Sequence, residues 1–391
     1  MIKSIKVMLV PNNKQKTKLF QYANTARFAY NWGLARENEN HKLGNKFLSD
    51  NDLRKEFTQL KKTEGYRWLN DVSNNVTKQA IKDACDSYKK FFKGYSQYPR
   101  FKSKRKSKPS FYQDNCKIKL TNTHIKVEGF SSSKKKNKQK LNWIRLAESG
   151  RIPTDVKYSN PRISFDGMNW WISIGIEDNS VIQEPSNNGV GIDLGVKDLA
   201  ICSDRDNPYK NINKTSKIKK IEKKRRRLQR QISRKYIMNK EGSSYKKTSN
   251  IIKSEKELFK LNHKLTNMRH SYQLEVVNDI INRKPKFITI EDLNIGGMMK
   301  NKHLSKAIQQ QALYEFTRIL GYKCTWNGIE LRQVDRWYPS SKLCHECGSV
   351  KRDLKLSDRT YICDVCGNVI NRDFQASLNL RDATEYKIVS L

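Results

Sequence analysis

The chain has 391 residues, of which 78 are Lys or Arg and 39 are Asp or Glu, giving a formal net charge of +39. A folded protein with that much like charge repels itself unless a polyanion neutralises it, so we expect a nucleic acid as partner. The sequence has no run of about 18 apolar residues and no amphipathic basic helix with a clean apolar face, which argues against a membrane partner.

The first residues, MIKSIKVMLVPNN, alternate apolar and polar side chains before a proline and predict a β-strand. They are too short and too polar for the apolar region of a signal peptide, so we expect an intracellular protein. Of the 8 cysteines, four are scattered and four cluster near the C-terminus, which does not indicate a disulfide framework.

A small helical bundle is predicted next, from apolar and aromatic residues at helical spacing in 13–42 and in the segments around 50–62 and 75–95. Most of the aromatic side chains are expected in its core rather than against bases. Short alternating runs follow a basic stretch, with a hairpin turn at Asp166-Gly167 and an exposed loop at 131–140. We expect the first strand to join these strands in one β-domain, into which the bundle is inserted.

The pattern changes beyond a linker at 182–188, where GVGIDLG and LAICSD predict paired strands. Residues 214–282 predict two long helices broken near Gly242, and the first has a cationic face suited to phosphate contact. KPKFITIEDL then predicts a buried strand. The remaining elements are predicted as a helix around 304–320, a strand at 329–334, a cysteine-bearing insert and a last helix from near Asp373.

Three acidic residues, Asp193, Glu291 and Asp373, lie where strand or helix ends could present them together. Converging carboxylates repel one another unless divalent cations neutralise them, and Mg²⁺ prefers oxygen ligands. A pair of Mg²⁺ ions would then support phosphodiester hydrolysis. The glycines beside Asp193 are expected to leave room for ions, water and a phosphodiester. Alternatives remain: Asp193 as a turn cap, Asp373 as an ordinary helix N-terminal residue, and Asp292 as the ligand in place of Glu291.

The motifs CHECG and CDVCG form a C-x2-C-x15-C-x2-C pattern with a glycine after each pair. Each C-x2-C turn supplies two thiolates, and glycine allows the positive φ of a tight knuckle. We therefore predict one structural Zn²⁺ ion held by Cys344, Cys347, Cys363 and Cys366, with no open position for catalysis. An iron–sulfur cluster and a redox dithiol are the alternatives.

Motifs spread through nearly the whole chain resemble the transposon-encoded TnpB proteins, compact relatives of type V CRISPR effector nucleases. In order, these motifs are FAYNWGLA, PRFKSKRKSKPSFY, NWWISI, GIDLGVKDLA, ITIEDLNI, LSKAIQQQALYEF, YPSSKLCHECG and NRDFQASLNL. Relatives often read D-x-N-A-A in the last motif, whereas this chain has Gln375, Ala376 and Ser377 after Phe374.

The resemblance implies an α+β multidomain protein. Its parts would be a RuvC nuclease domain of RNase H-like fold with a mixed sheet (184–338 and 371–391), a β-barrel-like wedge domain (1–15 and 108–183), a helical recognition insert (16–107) and a zinc ribbon (339–370). It implies Asp193, Glu291 and Asp373 as the catalytic metal ligands, and so favours Glu291 over Asp292.

The same resemblance implies the partners. A guide RNA from the transposon end would direct cleavage of double-stranded DNA beside a short adjacent motif, using two Mg²⁺ ions, in a monomer with one RNA in the prokaryotic cytoplasm near the nucleoid. Two rivals remain: a guided repressor that binds without cutting, favoured by loss of a carboxylate, and a guide-independent DDE-type transposase, which would act without RNA.

Overall fold

The computed structural model describes residues 2–130, 141–178, 185, 188–355 and 358–389. The chain divides into two compact units, residues 1–179 (unit 1) and 180–391 (unit 2). The exposed loop predicted at 131–140 lies outside the described residues, as does most of the linker predicted at 182–188. Within the described part, no helix is long and apolar enough to cross a membrane.

Unit 1 combines an antiparallel sheet with a helical bundle, as the sequence predicted. Its strands are β1 (Ile2–Val10), β2 (Ser110–Tyr112), β3 (Lys119–Leu120), β4 (His124–Lys126), β5 (Trp143–Leu146), β6 (Tyr158–Phe165) and β7 (Trp170–Glu177). Its helices are α1 (Asn13–Lys42), α2 (Asp50–Leu60), a 3-10 helix (Glu64–Asp71) and α3 (Asn74–Phe92). The strand order is β2-β6-β7-β1-β5-β4-β3, so the first strand does join the later ones.

The prediction of a barrel-like sheet is wrong, because this sheet is open. Its edge strands β2 and β3 span only three and two residues, and they are not paired with each other in the described part of the chain. Strands that short offer too little backbone to close a ladder. The helical bundle also packs beside β2, where the Tyr22 and Phe111 rings lie 5.3 Å apart and Arg162 pairs with Asp83 at 2.7 Å.

Helix α1 shows why the bundle forms where the spacing predicted it. The helix begins at a capping box, in which Asn12 and Gln15 exchange two side chain–backbone hydrogen bonds of 2.9 Å. Tyr22 and Tyr30 are buried, and Phe28 and Trp32 pack against the same core, so the core interpretation of the aromatics is confirmed. At Gly33, an added Cβ would lie 3.3 Å from the Cβ of Ala84, which shows how closely α3 approaches.

Unit 2 is built on a six-stranded mixed sheet. Its strands are β8 (Val190–Leu194), β9 (Asp198–Cys202), β10 (Tyr209–Lys210), β13 (Phe287–Glu291), β14 (Glu330–Val334) and β17 (Lys387–Ile388), in the order β10-β9-β8-β13-β14-β17. Two further hairpins are β11 (Lys240–Glu241) with β12 (Ser244–Tyr245), and β15 (Thr360–Ile362) with β16 (Val369–Asn371). Strand β13 is parallel to β8 and β14, whereas β8 and β9 form the predicted antiparallel pair.

The helices of unit 2 cover both faces of that sheet. They are α4 (Ser216–Met238), α5 (Ser249–Asn282), α6 (Ile295–Met298), α7 (Ser305–Gln311), α8 (Leu313–Asn327) and α9 (Arg372–Arg381), with a 3-10 turn at Ile212–Lys214. The predicted break near Gly242 is confirmed, since the β11–β12 hairpin separates α4 from α5 there. Buried residues of α5 and α8 share one core with Ile192, Ile288 and Ile290, which lie on one face of the sheet.

The single helix predicted around 304–320 is instead two helices. Ala312 has a left-handed backbone (φ +53°), which ends α7 and starts α8. Buried Gln273 compensates the break, because its Nε2 donates to the carbonyls of Gln311 (2.8 Å) and Ala312 (3.1 Å). The buried Gln311 side chain in turn donates to the Gly195 carbonyl (3.1 Å), just beyond β8.

Candidate active site and metal centre

Asp193 and Glu291 lie at the carboxyl ends of two neighbouring parallel strands. The register of β13 on β8 pairs Thr289 with Gly191 and Ile290 with Ile192. Because side chains alternate along a strand, the carboxylates two residues beyond Gly191 and Thr289 project from one face, side by side. Helix α9 packs on this face, and Asp373 lies in its first turn. Three distant segments thus bring their carboxylates to one face of the sheet, although among the described residues their oxygens do not form a preassembled metal-ligand group as the cysteines do.

Gly191 serves a different purpose from the one predicted for it. A Cβ added there would lie 1.9 Å from the Ser377 carbonyl oxygen and 2.4 Å from the Arg381 nitrogen, both in the backbone of α9. The missing side chain therefore makes room for the helix and not for ions or substrate. At Gly195 an added Cβ would approach the Asp198 carbonyl oxygen at 3.2 Å, so this glycine fits the tight turn into β9.

The Asp193 carboxyl is close enough to the other two carboxylates for their charges to raise its pKa. Burial raises the pKa of Asp193 well above its usual range, the charges of Glu291 and Asp373 raise it further, and Arg372 acts against them. Burial also raises the pKa of Glu291, while a hydrogen bond from Ser340 lowers it. Asp193 and Glu291 are buried carboxyls whose charged forms are disfavoured without a cation, and carboxylate oxygens are the ligands that a hard divalent cation such as Mg²⁺ prefers.

Glu291 is held by a serine that the sequence reasoning missed. The Ser340 hydroxyl, 4% exposed, donates to Glu291 Oε1. The loop carrying Ser340 is fixed by Asn379 of α9, whose Nδ2 donates to the carbonyls of Ser340 and Leu343, both at 2.7 Å. Tyr338 adds a hydrogen bond of 3.0 Å to the Asn379 carbonyl. Ser340 and Asn379 lie in the motifs YPSSKLCHECG and NRDFQASLNL, but spacing alone gives neither residue a role.

Asp373 is neutralised by arginines in this structure. Asn371 caps α9, accepting from the backbone nitrogens of Asp373 (3.0 Å) and Phe374 (3.1 Å). Arg372 Nη2 lies 3.2 Å from Asp373 Oδ1, and Arg359 Nη1 lies 3.6 Å from Oδ2. The Asp373 side chain is 18% exposed, so its carboxylate stays accessible at the edge of the site.

Asp292, the alternative to Glu291, has different partners. Its Oδ2 pairs with Arg336 Nη2 at 2.9 Å, and its Oδ1 accepts from Gln333 Nε2 at 3.4 Å. The Asp292 side chain is 42% exposed, as is typical of a surface ion pair.

An open cleft of about 740 Å³ lies beside the carboxylates within unit 2. Asp373 and Phe374 form part of its wall, as does Ile201, which pairs with Asp193 across β8 and β9. The cleft's remaining lining combines three lysines and two acidic residues with amides and one hydroxyl: Lys197, Asp198, Asp206, Pro208, Lys210, Asn211, Lys214, Thr215 and Asn371. The three lysines of this lining are the groups that could contact the phosphates of a nucleic acid.

The departure from the family motif lies inside α9. Gln375 is fully buried, and neither atom of its amide has a hydrogen-bond partner in the described structure. Ser377 is also fully buried, but its hydroxyl donates to the Phe374 carbonyl at 2.6 Å. The departure therefore places an unsatisfied amide in the first turns of the helix that carries Asp373.

The four predicted cysteines form one cluster, with all their sulfurs within 4.8 Å of one another. Cys344 and Cys366 Sγ are 3.6 Å apart, as are Cys347 and Cys363 Sγ. Zinc–sulfur bonds of about 2.3 Å in a tetrahedron place sulfurs about 3.8 Å apart, so the cluster fits a metal ion. Backbone N–H donation, led by Cys366, lowers the pKa of Cys363 to about 5, which favours the thiolate. Gly348 and Gly367 have the predicted positive φ, +70° and +71°.

Comparisons with known proteins identify the family. The chain is 30% identical over 395 residues to "Putative RNA-guided DNA endonuclease InsQ" of Escherichia coli, covering 97% of this chain and 91% of that protein. The chain belongs to the transposon-encoded TnpB family. A second relative, "Putative RNA-guided DNA endonuclease" of Streptomyces pristinaespiralis, is 29% identical and covers 97% of this chain and 88% of its own length.

Family models match three stretches of this TnpB-family chain. Residues 314–380, with the four cysteines and Asp373, match "Cas12f1-like, TNB domain", and residues 173–302, with Asp193 and Glu291, match "Probable transposase". Residues 1–46 match "Helix-turn-helix domain", although here they form β1 and the single helix α1.

A solved structure, "Cryo-EM structure of the Cas12f1-sgRNA-target DNA complex", shares the fold with a TM-score of 0.64 at 14% identity, covering 99% of both chains.

Proposed function

We propose that this protein is an RNA-guided DNA endonuclease that cuts double-stranded DNA beside a short adjacent motif. The convergence of Asp193, Glu291 and Asp373 on one face of the mixed sheet carries the proposal. The names of the two relatives and the printed description of the Cas12f1 complex support guide RNA and target DNA as partners. The net charge of +39 supports backbone contact with both nucleic acids.

We propose Asp193, Glu291 and Asp373 as the catalytic residues of a RuvC-type site. When bound to them, two Mg²⁺ ions would supply Lewis acidity for phosphodiester hydrolysis. Ser340 orients Glu291, and Arg359 and Arg372 form ion pairs with Asp373. Lys197, Lys210 and Lys214 of the neighbouring cleft hold the phosphates that flank the cut.

The remaining parts take supporting roles in this proposal. The four cysteines hold one structural Zn²⁺ in a ribbon spanning 339–370, between the two parts of a RuvC domain at 184–338 and 371–391. Residues 1–15 and 108–183 act as the wedge, and 16–107 as the recognition insert. The protein acts as a monomer with one RNA in the cytoplasm.

The test uses the full-length protein purified with its own RNA. With Mg²⁺ and a duplex that matches the RNA beside a randomised flank, we expect cleavage next to one selected flank sequence. Asp193→Ala should bind the duplex and leave it intact. Cleavage at wild-type rate by this variant would overturn the catalytic assignment. Binding without cleavage by the wild type would identify a guided repressor, and activity of RNA-free protein would identify a transposase.

A further inference from the structure

Unit 1 contains a basic cavity far removed in sequence from the carboxylates. It has a volume of about 690 Å³ and lies between α2, the 3-10 helix and α3. Five of its lining residues are cationic, namely Arg54, Lys61, Lys62, Arg67 and Lys78, and none of the lining residues that the structure describes is acidic. We call this cavity the Lys61 pocket.

Lys61 has an environment that disfavours its charge. The side chain is 8% exposed, and its Nζ donates to Asn74 Oδ1 (2.7 Å) and Thr77 Oγ1 (3.1 Å). Burial lowers the pKa of this ammonium. Among the described residues, no carboxylate forms an ion pair with Lys61, whereas Arg54 beside it pairs with Asp50 at 2.6 Å. A buried ammonium held only by neutral oxygens retains capacity for an anion.

The N-terminus of α3 also favours binding of an anion beside Lys61. Asn74 and Thr77, the two partners of Lys61, belong to the first turns of α3, and its first turn contains no acidic residue. The ammonium therefore lies at the positive end of a helix, which repels it. Glu128 approaches this end through Ser73 (2.8 Å), but it is paired with Lys117 (3.1 Å) and does not line the pocket.

The lining also indicates how a ligand would be held. Among the described residues that line the pocket, Phe57 is the one aromatic residue. It is 2% exposed, and the Lys61 ammonium covers its ring at 5.4 Å from the ring centroid. No aromatic surface is thus offered for base stacking. Cations, hydroxyls and amides remain, and these recognise phosphate oxygens without regard to base sequence.

We propose that the Lys61 pocket binds a backbone phosphate of a nucleic acid. Binding there places an anion against the buried ammonium and the start of α3, while Lys62, Arg67 and Lys78 contact the flanking phosphates. The proposal rests on the nucleic-acid-binding part of the proposed function and is independent of cutting. The phosphate could belong to RNA or to DNA, and the experiment separates these sources.

The test compares Lys61→Met with Lys55→Met in the full-length protein freed of RNA. Lys55 lies in α2, the helix that Lys61 caps, with its side chain 82% exposed, and it does not line the pocket. Binding of a 20-bp DNA duplex and of a 20-bp RNA duplex of the same sequence is measured across a KCl series. We expect Lys61→Met to weaken binding about fivefold more than Lys55→Met. It should also reduce the steepness of the dependence of log binding constant on log KCl concentration by about 1.

The two probes give different supporting outcomes. A loss confined to RNA assigns the pocket to the guide, a loss confined to DNA assigns it to the target, and a loss for both assigns it to any backbone. Equal binding by the two variants would overturn the proposal. DNA cleavage is measured separately from binding. If the wild-type protein does not cleave DNA but its binding still depends on Lys61, the proposed nuclease activity is refuted and the proposed phosphate site stands.

A thermal melt tests whether Lys61 has a purely structural role. Since methionine removes a buried charge, Lys61→Met without ligand should melt at the wild-type temperature or above it. A lower melting temperature with unchanged binding would contradict the proposal. Lys62→Ala with Lys78→Ala, both at exposed positions, provides a second variant that removes charge without touching the core, and it should weaken the same probe.

Discussion

The cysteine cluster and the carboxylate cluster of unit 2 are both ligand sets, but they are assembled in opposite ways. The cysteines come from two C-x2-C turns within 23 residues, and their sulfurs already lie within 4.8 Å of one another. The carboxylates come from three segments that span 181 residues, and they depend on strand register and on the packing of α9. A local turn can specify the first set, whereas only the complete domain can specify the second.

The difference extends to charge. Backbone N–H groups stabilise the thiolate of Cys363, one of the four cysteines of the cluster. Burial and mutual repulsion raise the pKa of Asp193 and disfavour its charge. We therefore expect loss of a cysteine to reduce mainly stability, and loss of a carboxylate to reduce mainly activity. The following variants test that division, from the largest expected effect to the smallest.

Glu291→Gln should lower the DNA cleavage rate by at least about 10³-fold, because a charged cation ligand is replaced by a neutral amide. The matched control is Asp292→Asn, the neighbouring acid, which pairs with Arg336 at the surface. Single-turnover cleavage by the RNA-loaded variants is the measurement, and the control should stay within about threefold of wild type. A reversed order would mean that Asp292 is the ligand.

Cys363→Ser should destabilise the protein by about 3 kcal/mol or more, because a bound metal ion contributes its binding free energy to folding. The control is Cys116→Ser, at an exposed cysteine outside the cluster. Differential scanning fluorimetry and zinc content by mass spectrometry give the two readouts. Wild-type stability in a zinc-free variant would show that the cluster is not a structural site.

Glu37→Gln tests a buried carboxylate that has no part in metal binding. Glu37 is 3% exposed, and burial raises its pKa to about 7. Because the folded pKa lies above the unfolded value, the stability contributed by this group is complete below about pH 4.5 and is lost as the pH rises through 7. The stability gained by Glu37→Gln over the wild type should therefore be larger at pH 8 than at pH 5 by roughly 2 kcal/mol.

Urea unfolding of the full-length protein at both pH values measures this difference. Glu39→Gln, on the same helix with its side chain 59% exposed, is the control and should not reproduce the stabilisation. Equal effects of the glutamine at both pH values would contradict the raised pKa of Glu37.

Ser340→Ala should lower the cleavage rate about tenfold, the equivalent of one lost hydrogen bond to a charged group. It should also raise the Mg²⁺ concentration for half-maximal cleavage, because Glu291 is no longer oriented. Ser340→Thr should restore much of both values, and Ser341→Ala next to it should change neither. A lower rate with an unchanged Mg²⁺ requirement would mean that Ser340 only supports the fold.

Much of this architecture could be predicted from the sequence because its signals are local. Alternation predicted β1 and the β8–β9 pair, helical spacing predicted α1 and α3, and the cysteine spacing predicted the clustering of the four cysteines. The break at Ala312 could not be predicted, since it depends on hydrogen bonds from Gln273, 39 residues earlier. Barrel closure failed as a prediction because strand length, and not alternation, decides whether two edges meet.

Parts of the candidate site required the tertiary structure. The role of Gly191 depends on α9, which begins 181 residues later, and its local sequence suggested open space instead. Ser340 and Asn379 are linked by hydrogen bonds across 39 residues, and neither residue type is diagnostic on its own. The Lys61 pocket combines three elements, and an isolated sequence run of lysines is indistinguishable from a solvated face.

Helix α9 has a consequence for engineering this protein. It carries Asp373 near its start and Asn379 near its end. One helix therefore connects a proposed catalytic carboxylate to the loop before the first cysteine pair. Peptide insertions between Ser340 and Cys344, or within α9, would alter both the position of Asp373 and the hydrogen bonds of Asn379. Ser349, directly beyond Gly348, also hydrogen-bonds Cys344 and Cys363, so a grafted tag, reporter or fused effector domain should avoid this whole stretch.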